Sequence, residues 1–236
     1  MKQILFALIL SGAVFAQSKS DAPKAAPAAK SAPAADLLNP STLKAKAPED
    51  FGVRLNTSKG DVVLAIHRSW APVGADRFYN LVRGGYFTNV AFFRVVRAPR
   101  PFMAQFGISP RPEVNKAWMS AKMLDDMPRH SNTRGTLTFA VTGAPNSRGT
   151  QLFINFADNA FLDSQGFAPI GEVVQGMENM DKLYSGYGEN GPDQGRFTNE
   201  GRAYTDKAFP MLDHILTATI VPVPGAAPAD AKDAKK

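Results

Sequence analysis

Short apolar runs separated by turn-forming residues extend through residues 51–221 and limit the folds open to this chain. Runs of about four to eight residues in which apolar and polar positions alternate are characteristic of β-strands. The clearest example is residues 52–66, GVRLNTSKGDVVLAI, where two such runs flank the turn at 58–61 and predict a β-hairpin. Many short strands with few helices favour a barrel or a sandwich.

The remaining elements follow from the same periodicity. Residues 71–83 are predicted to be helical, because Pro72 suits the first turn of a helix and Gly84 suits the position after its end. Shorter helices are predicted at 177–184 and 199–208. Further strands are predicted at 91–97, 102–107, 135–141, 151–156, 169–174 and 214–221.

Both ends of the chain differ in composition from the residues between them. Residues 1–16, MKQILFALILSGAVFA, combine an early Lys with an apolar stretch and end in Ala, which predicts a signal peptide. The alternative is an uncleaved N-terminal anchor. Residues 17–48 are rich in Ala, Pro, Lys and Ser, so we expect a disordered linker there and a similar disordered tail at 222–236. The folded domain is predicted to span residues 51–221.

Charge and composition exclude several classes of function. The net charge is +6, but residues 51–221 carry 18 Lys and Arg against 15 Asp and Glu without a dense basic run, so nucleic-acid binding is not expected. The chain has no Cys, and its three His lack ligand-like spacing, so neither thiol chemistry nor a metal site is expected. We expect an exported monomer, in a bacterial periplasm or cell envelope or secreted, without stable membrane insertion after signal cleavage.

Two polar side chains interrupt the apolar strands of residues 91–107, AFFRVVRAPRPFMAQFG. Because alternate residues of a strand share a face, Phe92, Arg94 and Val96 are expected to point the same way. An arginine on such a face either extends to solvent at a rim or is placed for chemistry. Gln105 raises the same question in the next strand.

Four stretches decide between these readings: FFRVV (92–96), PFMAQFG (101–107), GTLTFAVTGAPNSRGTQLFINF (135–156) and FLDSQGFAPIGEVVQGM (161–177). Together they resemble the cyclophilin-type peptidyl-prolyl cis-trans isomerases, in the family's order and close to its spacing, through residues 53–221. The resemblance implies a mainly β fold, a closed eight-stranded antiparallel barrel with two capping α-helices. The predicted helices near 74–83 and 199–208 would be those two.

The resemblance also assigns site residues. It implies that Arg94 is the catalytic arginine and that the chain needs no cofactor. The implied substrate-binding residues are Phe102, Met103, Gln105, Ala140, Gln151, Phe153, Phe161, Leu162 and Phe167. Phe161 stands where many members have Trp, and Phe167 where many have His, in a loop that is longer here.

Elementary chemistry agrees with this assignment. Amide resonance raises a barrier of about 18–20 kcal/mol to rotation about an X-Pro bond, although the two isomers differ by only about 0.5–1 kcal/mol. Catalysis therefore needs an apolar pocket for proline and a donor that favours the twisted amide, but no nucleophile, metal or proton relay. Arg94, Gln105 and Gln151 hold their charge states across neutral pH, so a flat pH profile is expected from about pH 5.5 to 8.5.

Two alternative functions remain, and two further motifs are interpreted as parts of surface loops. The main alternative is a cyclophilin-like module or chaperone that binds Pro-containing polypeptides with little turnover, and a weaker one is a barrel with an empty interior for a small ligand. The segment GYGENG (186–191) follows a predicted helix and is interpreted as a surface loop rather than a nucleotide site. Asp125 and Asp126 are interpreted as a solvated loop pair.

Overall fold

One antiparallel sheet of nine strands is the framework of residues 37–225, which are the residues that this computed structural model describes. The predicted signal peptide, most of the predicted linker and residues 226–236 lie outside the described residues. The strands are β1 (Asp50–Thr57), β2 (Gly60–His67), β3 (Val90–Ala91), β4 (Arg94–Val96), β5 (Met103–Phe106), β6 (Thr136–Phe139), β7 (Leu152–Asn155), β8 (Pro169–Gln175) and β9 (His214–Val221).

The strands are ordered β3-β9-β1-β2-β8-β6-β7-β5-β4 in a curled sheet. The two strands at its ends, β3 and β4, are consecutive in the chain and separated by Phe92 and Phe93 alone. The mainly β, antiparallel prediction is confirmed, whereas nine strands are found where eight were predicted.

Five α-helices accompany the sheet in the described residues, where the sequence pattern predicted three and the resemblance implied two capping helices. They are α1 (Pro72–Arg83), α2 (Pro112–Trp118), α3 (Met177–Asp181), α4 (Gln194–Glu200) and α5 (Arg202–Ala208). The hairpin and α1 match their predictions, although the residue with positive φ after α1 is Gly85 (+71°) and not Gly84 (−74°). The predicted helix at 199–208 is divided at Gly201, whose φ is +62° and where a Cβ would lie 2.4 Å from the Pro110 carbonyl oxygen.

The core lies between α1 and one face of the sheet. Phe78 and Leu81 of α1 are fully buried against side chains from the strands. The strand residues of this core include Val53, Leu55, Leu64, Ile66, Phe106, Phe139, Leu152, Ile154 and Ile170. These side chains fill the space that a small-ligand barrel would have to leave open, so the described residues give that alternative no support.

The segment before β1 packs on the domain, which corrects the expectation that residues up to 48 form only a linker. Leu37 and Leu43 contact the core, and Ala47 is buried. The side chain of Asn80 in α1 forms two hydrogen bonds with the backbone of Ala45. It accepts one from the Ala45 amide (3.0 Å) and donates one to the Ala45 carbonyl (2.7 Å). The Trp118 indole also donates to the Leu37 carbonyl at 2.9 Å. The folded domain therefore begins before residue 51.

Removal of residues 1–48 should therefore destabilise the protein, whereas removal of residues 1–36 should not. Without the segment, the buried Asn80 loses two partners and apolar contacts are lost, which together cost roughly 2–4 kcal/mol. Urea unfolding of the two truncated chains measures the difference. Equal stability would contradict the packing described above.

The interpretation of Asp126 as solvated is wrong, because it forms a buried ion pair. Its side chain is 6% exposed, and its Oδ2 lies 3.0 Å from Nη1 of the fully buried Arg148. The same carboxylate accepts hydrogen bonds from the amides of Val73 (3.0 Å) and Gly74 (2.8 Å) at the start of α1. Asp125 is more exposed, as predicted, with Oδ1 3.3 Å from Arg148 Nε. Arg148 thus joins three segments: its own loop, residues 124–126 and α1.

Candidate active site

The site begins with a row of paired residues on three adjacent strands. Arg94 of β4 pairs in register with Gln105 of β5, and Gln105 pairs with Phe153 of β7. Residues paired across antiparallel strands have their side chains on the same face. The strand register therefore brings together three side chains that are up to 59 positions apart in sequence.

The arginine and the two glutamines form a hydrogen-bonded chain with one possible direction. Arg94 Nη1 donates to Gln105 Oε1 at 3.2 Å, and Gln105 Nε2 donates to Gln151 Oε1 at 2.9 Å. Because a guanidinium only donates, Gln105 must present its oxygen to Arg94 and its NH₂ to Gln151. Gln151 then presents its own NH₂ away from the chain, where it can donate to a peptide carbonyl.

An apolar cluster separate from the main core lies beside this chain. Its buried members are Val96, Met103, Phe153 and Leu162. Three partly buried side chains pack against it: Phe102, Ala140 and Phe167. All of these except Val96 were predicted substrate-binding residues, and the register shows why Val96 belongs: it pairs with Met103.

Aromatic contacts complete the wall of the cluster. Phe161 is 57% exposed and stacks on Phe102 with ring centroids 6.0 Å apart, while Phe167 meets Phe153 edge to face at 5.8 Å. The Arg94 guanidinium lies 5.8 Å from the centroid of the Phe102 ring. All ten predicted site residues thus fall in one connected group.

Buried amides beneath the cluster hold the segment that carries Phe161, Leu162 and Phe167. Asn132 donates through its backbone (2.9 Å) and side chain (2.8 Å) to Asp163 Oδ1, and its side chain also donates to the Phe167 carbonyl (2.9 Å). Burial alone would raise the pKa of Asp163, but hydrogen bonds from Ser131 and Asn132 together hold it below its ordinary value. The carboxylate is therefore ionised at neutral pH and anchors the loop.

The expected alternation along residues 92–96 does not hold. Phe92 and Val95 both join the main core, whereas Val96 lies in the apolar cluster beside Arg94. The sheet pairing is interrupted at Phe92 and Phe93, and this interruption shifts the alternation by one residue. Arg94 and Val96 therefore share a face, as predicted, but Phe92 does not.

A functional candidate absent from the sequence prediction is Glu189. Its carboxylate accepts two hydrogen bonds from Arg94, Oε2 from Nε at 2.7 Å and Oε1 from Nη2 at 2.8 Å. The hydrogen bond from Arg94 is the main reason that the pKa of Glu189 lies below its ordinary value. The residue lies in the GYGENG segment interpreted above as a surface loop, and no signal in the sequence links it to Arg94.

A cleft of about 560 Å³ continues from Arg94 and Gln105 toward α2 and α4. Trp118, Lys122 and Thr198 are among the residues that line it. Within residues 37–225, no helix has the length and apolar character needed to span a membrane, and no three acidic or His side chains form a metal-binding group.

Comparison with known proteins decides the family. A family model described as "Cyclophilin type peptidyl-prolyl cis-trans isomerase/CLD" matches residues 52–200, which is more than half of the chain. The chain belongs to the cyclophilin-type peptidyl-prolyl cis-trans isomerase family. The matched residues include all ten predicted site residues and Glu189 of this cyclophilin-type domain.

Relatives agree with this membership. Peptidyl-prolyl cis-trans isomerase A of Dickeya dadantii is 37% identical over 147 residues, 60% of this chain and 76% of the relative. Peptidyl-prolyl cis-trans isomerase B of Escherichia coli is 34% identical over 138 residues, 56% of this chain and 82% of the relative. A crystal structure of a Cryptosporidium parvum cyclophilin-type isomerase covers 74% of this chain and 99% of its own at 23% identity and a TM-score of 0.56, which supports the fold.

Proposed function

We propose that this cyclophilin-type prolyl isomerase accelerates rotation about X-Pro bonds in unfolded or extended polypeptides, with Arg94 as its catalytic residue. One observation carries the proposal. A guanidinium that donates to Gln105, and through it orders Gln151, lies at the edge of an apolar cluster formed by Met103, Phe153 and other side chains.

The apolar cluster fits a pyrrolidine ring. Val96, Met103, Phe153 and Leu162 present apolar side chains without a polar group that would have to be desolvated. A proline bound there has its preceding peptide bond near the hydrogen-bonded chain of Arg94 and Gln105. The related Cryptosporidium parvum isomerase has also been crystallised in the presence of the dipeptide Ala-Pro, which agrees with a proline site.

The count of N–H groups on Arg94 supports its proposed role. A guanidinium has five N–H groups, of which Glu189 accepts two and Gln105 accepts one. Two therefore remain for a substrate. As the amide twists, its nitrogen regains a lone pair that such a donor can stabilise, or the donor can hold the adjacent carbonyl oxygen. A charge-assisted hydrogen bond of about 1.5–3 kcal/mol corresponds to roughly one to two powers of ten in rate.

Isomerisation of a peptide containing Ala-Pro, followed by a coupled protease that cleaves only the trans form, tests the proposed activity. We expect the purified protein to accelerate the slow phase in proportion to its concentration. The alternative function, a binding module or chaperone with little turnover, predicts binding of the same peptide without acceleration. That result would refute the proposal.

The pH profile should be flat from about pH 5.5 to 8.5. The hydrogen-bonded chain of Arg94, Gln105 and Gln151 contains neither an imidazole nor a carboxyl group, and the pKa of Glu189 is lowered chiefly by its hydrogen bond from Arg94. A lowered pKa means that the contact is complete above the ordinary Glu value of about 4.3 and is lost only as the pH falls further. Rates on an uncharged peptide, with protease in excess, measure this. A tenfold step near pH 6.5 would indicate a histidine in the chemistry instead.

The proposed setting is the bacterial periplasm or cell envelope, where the enzyme would act as a monomer in protein folding. The support is the signal-like pattern of residues 1–16 and the absence of Cys throughout the chain. Cell fractionation, combined with determination of the mature N-terminus, tests the location. A product that keeps Met1 in the cytoplasmic fraction would refute it.

The proposed finer architecture is a closed eight-stranded barrel, in which β3 and β4 count as one interrupted strand. The support is that Phe92 and Phe93 bridge the two ends of the sheet. The Phe92 amide donates to the Asp213 carbonyl just before β9 (2.9 Å), and the Phe93 amide donates to the Gln105 carbonyl of β5 (3.0 Å).

A further inference from the structure

The GYGENG segment is fitted closely against the strand that carries Arg94. Glu189 lies in a single 3₁₀ turn, Gly188–Asn190, that packs on β4. At Gly191, an added Cβ would lie 2.5 Å from the carbonyl oxygen of Phe93, the residue before Arg94. Only glycine permits this approach, so the segment is built to contact the strand at this point.

The contact with Glu189 fixes the guanidinium on the edge opposite Gln105. Glu189 accepts from Nε and Nη2, at 2.7 and 2.8 Å, whereas Gln105 accepts from Nη1 at 3.2 Å. Two parallel hydrogen bonds to a carboxylate define the plane of a guanidinium, which one neutral hydrogen bond cannot do. The pair is exposed, 31% for the Arg94 side chain and 57% for that of Glu189, so its contribution to the stability of the fold is small.

We propose that Glu189 is a positioning residue for the isomerase reaction, which holds the Arg94 guanidinium in the plane and direction required by the twisted amide. The inference rests on the proposed catalytic role of Arg94. An arginine side chain has several rotatable bonds, and its remaining contacts, one hydrogen bond to Gln105 and the face of Phe102, do not define the plane of the guanidinium. Loss of Glu189 therefore misplaces the donor without removing it. A displacement of about 1 Å can reduce a rate by up to two powers of ten.

The test is the substitution Glu189→Gln made both in the wild-type chain and in Arg94→Ala. In the wild-type chain, we expect kcat/KM for an Ala-Pro peptide to fall roughly tenfold, mainly through kcat. In Arg94→Ala, measured at higher enzyme concentration, the same substitution should cause no further loss. A merely structural role would reduce activity by a similar factor in both backgrounds.

A matched control is Glu200→Gln. Glu200 forms another exposed bidentate pair, with Arg196 of α4 at 2.8 and 3.1 Å, and lies outside the contacts of Arg94. This variant should keep wild-type kcat/KM. A signal from the Arg94 Nε–H in NMR spectra gives a second readout: slow solvent exchange in the wild type, and fast exchange in Glu189→Gln.

Each outcome has a defined meaning. Full activity in Glu189→Gln, or activity above that of the wild type, would overturn the positioning role, and an increase would show that Glu189 instead restrains Arg94. Unchanged activity in Arg94→Ala would refute the catalytic role of Arg94, on which the positioning role rests, whereas no acceleration by the wild-type protein would refute the proposed function itself. Loss in Arg94→Ala together with no loss in Glu189→Gln would refute only the positioning role.

Discussion

Arg94→Ala should reduce kcat/KM for X-Pro isomerisation at least tenfold while the melting temperature stays nearly unchanged. The substitution removes a charged donor at the edge of the apolar cluster, and a charge-assisted hydrogen bond of about 1.5–3 kcal/mol is lost from the transition state. Stability should survive because the Arg94 side chain is 31% exposed and its partner Glu189 is left in water. The protease-coupled assay measures kcat/KM, and thermal unfolding of the same variant measures its melting temperature.

Two further variants separate charge from geometry. Arg94→Lys keeps the positive charge but lacks the planar guanidinium with its several N–H donors. It should therefore be little more active than Arg94→Ala. Arg54→Ala is a matched control, because Arg54 is an exposed arginine of β1 that pairs at 3.7 Å with Asp61. It should behave as wild type. Full activity in Arg94→Ala, or unfolding of that variant, would refute the proposed role.

Arg148→Ala should have the largest effect on stability, a loss of about 3–5 kcal/mol in the free energy of unfolding. The Arg148 side chain is 2% exposed, and removal of it leaves the 6% exposed carboxylate of Asp126 without a buried counter-charge. The gap left by the side chain also adds a cavity. Urea unfolding at pH 7 measures the loss.

A double-variant cycle tests the cause of this loss. Asp126→Asn removes the charge but leaves one of the two oxygens that accept from the amides of Val73 and Gly74 at the start of α1. If the uncompensated charge causes the instability, the double variant Arg148→Ala, Asp126→Asn should lose less than the sum of the two single variants. Additive losses would mean that the cavity alone explains the effect.

Local patterns predicted the elements that depend on local contacts. The hairpin of β1 and β2 and the helix α1 were correctly predicted, because turn chemistry, alternation and a proline in the first turn are all readable within a few residues. The seven-residue helix α2 was missed, since it is too short to show a helical period. Motif resemblance predicted the ten residues that the structure brings together.

Three other errors share one physical cause: each depends on a partner distant in sequence. Asp126 looks like a solvated loop residue until Arg148, 22 positions later, is placed beside it. Residues 37–47 look like a linker in the sequence because the hydrogen bonds that hold them on the domain are made with the distant residues Asn80 and Trp118. The alternation at Phe92 fails because pairing to β9 ends and pairing to β5 begins there.

By itself, the sequence determined the family and the mainly β class and predicted the apolar and amide side chains of the candidate site, because strand alternation and motif spacing are properties of neighbouring residues. Only the tertiary structure decided how these side chains are arranged around Arg94. The register of β4 and β5 sets Arg94 beside Gln105, and the close approach of Gly191 to Phe93 places Glu189 on the opposite edge of the guanidinium, 95 positions away. A long-range ion pair leaves no period or spacing in the chain, since its energy depends on distance in space alone.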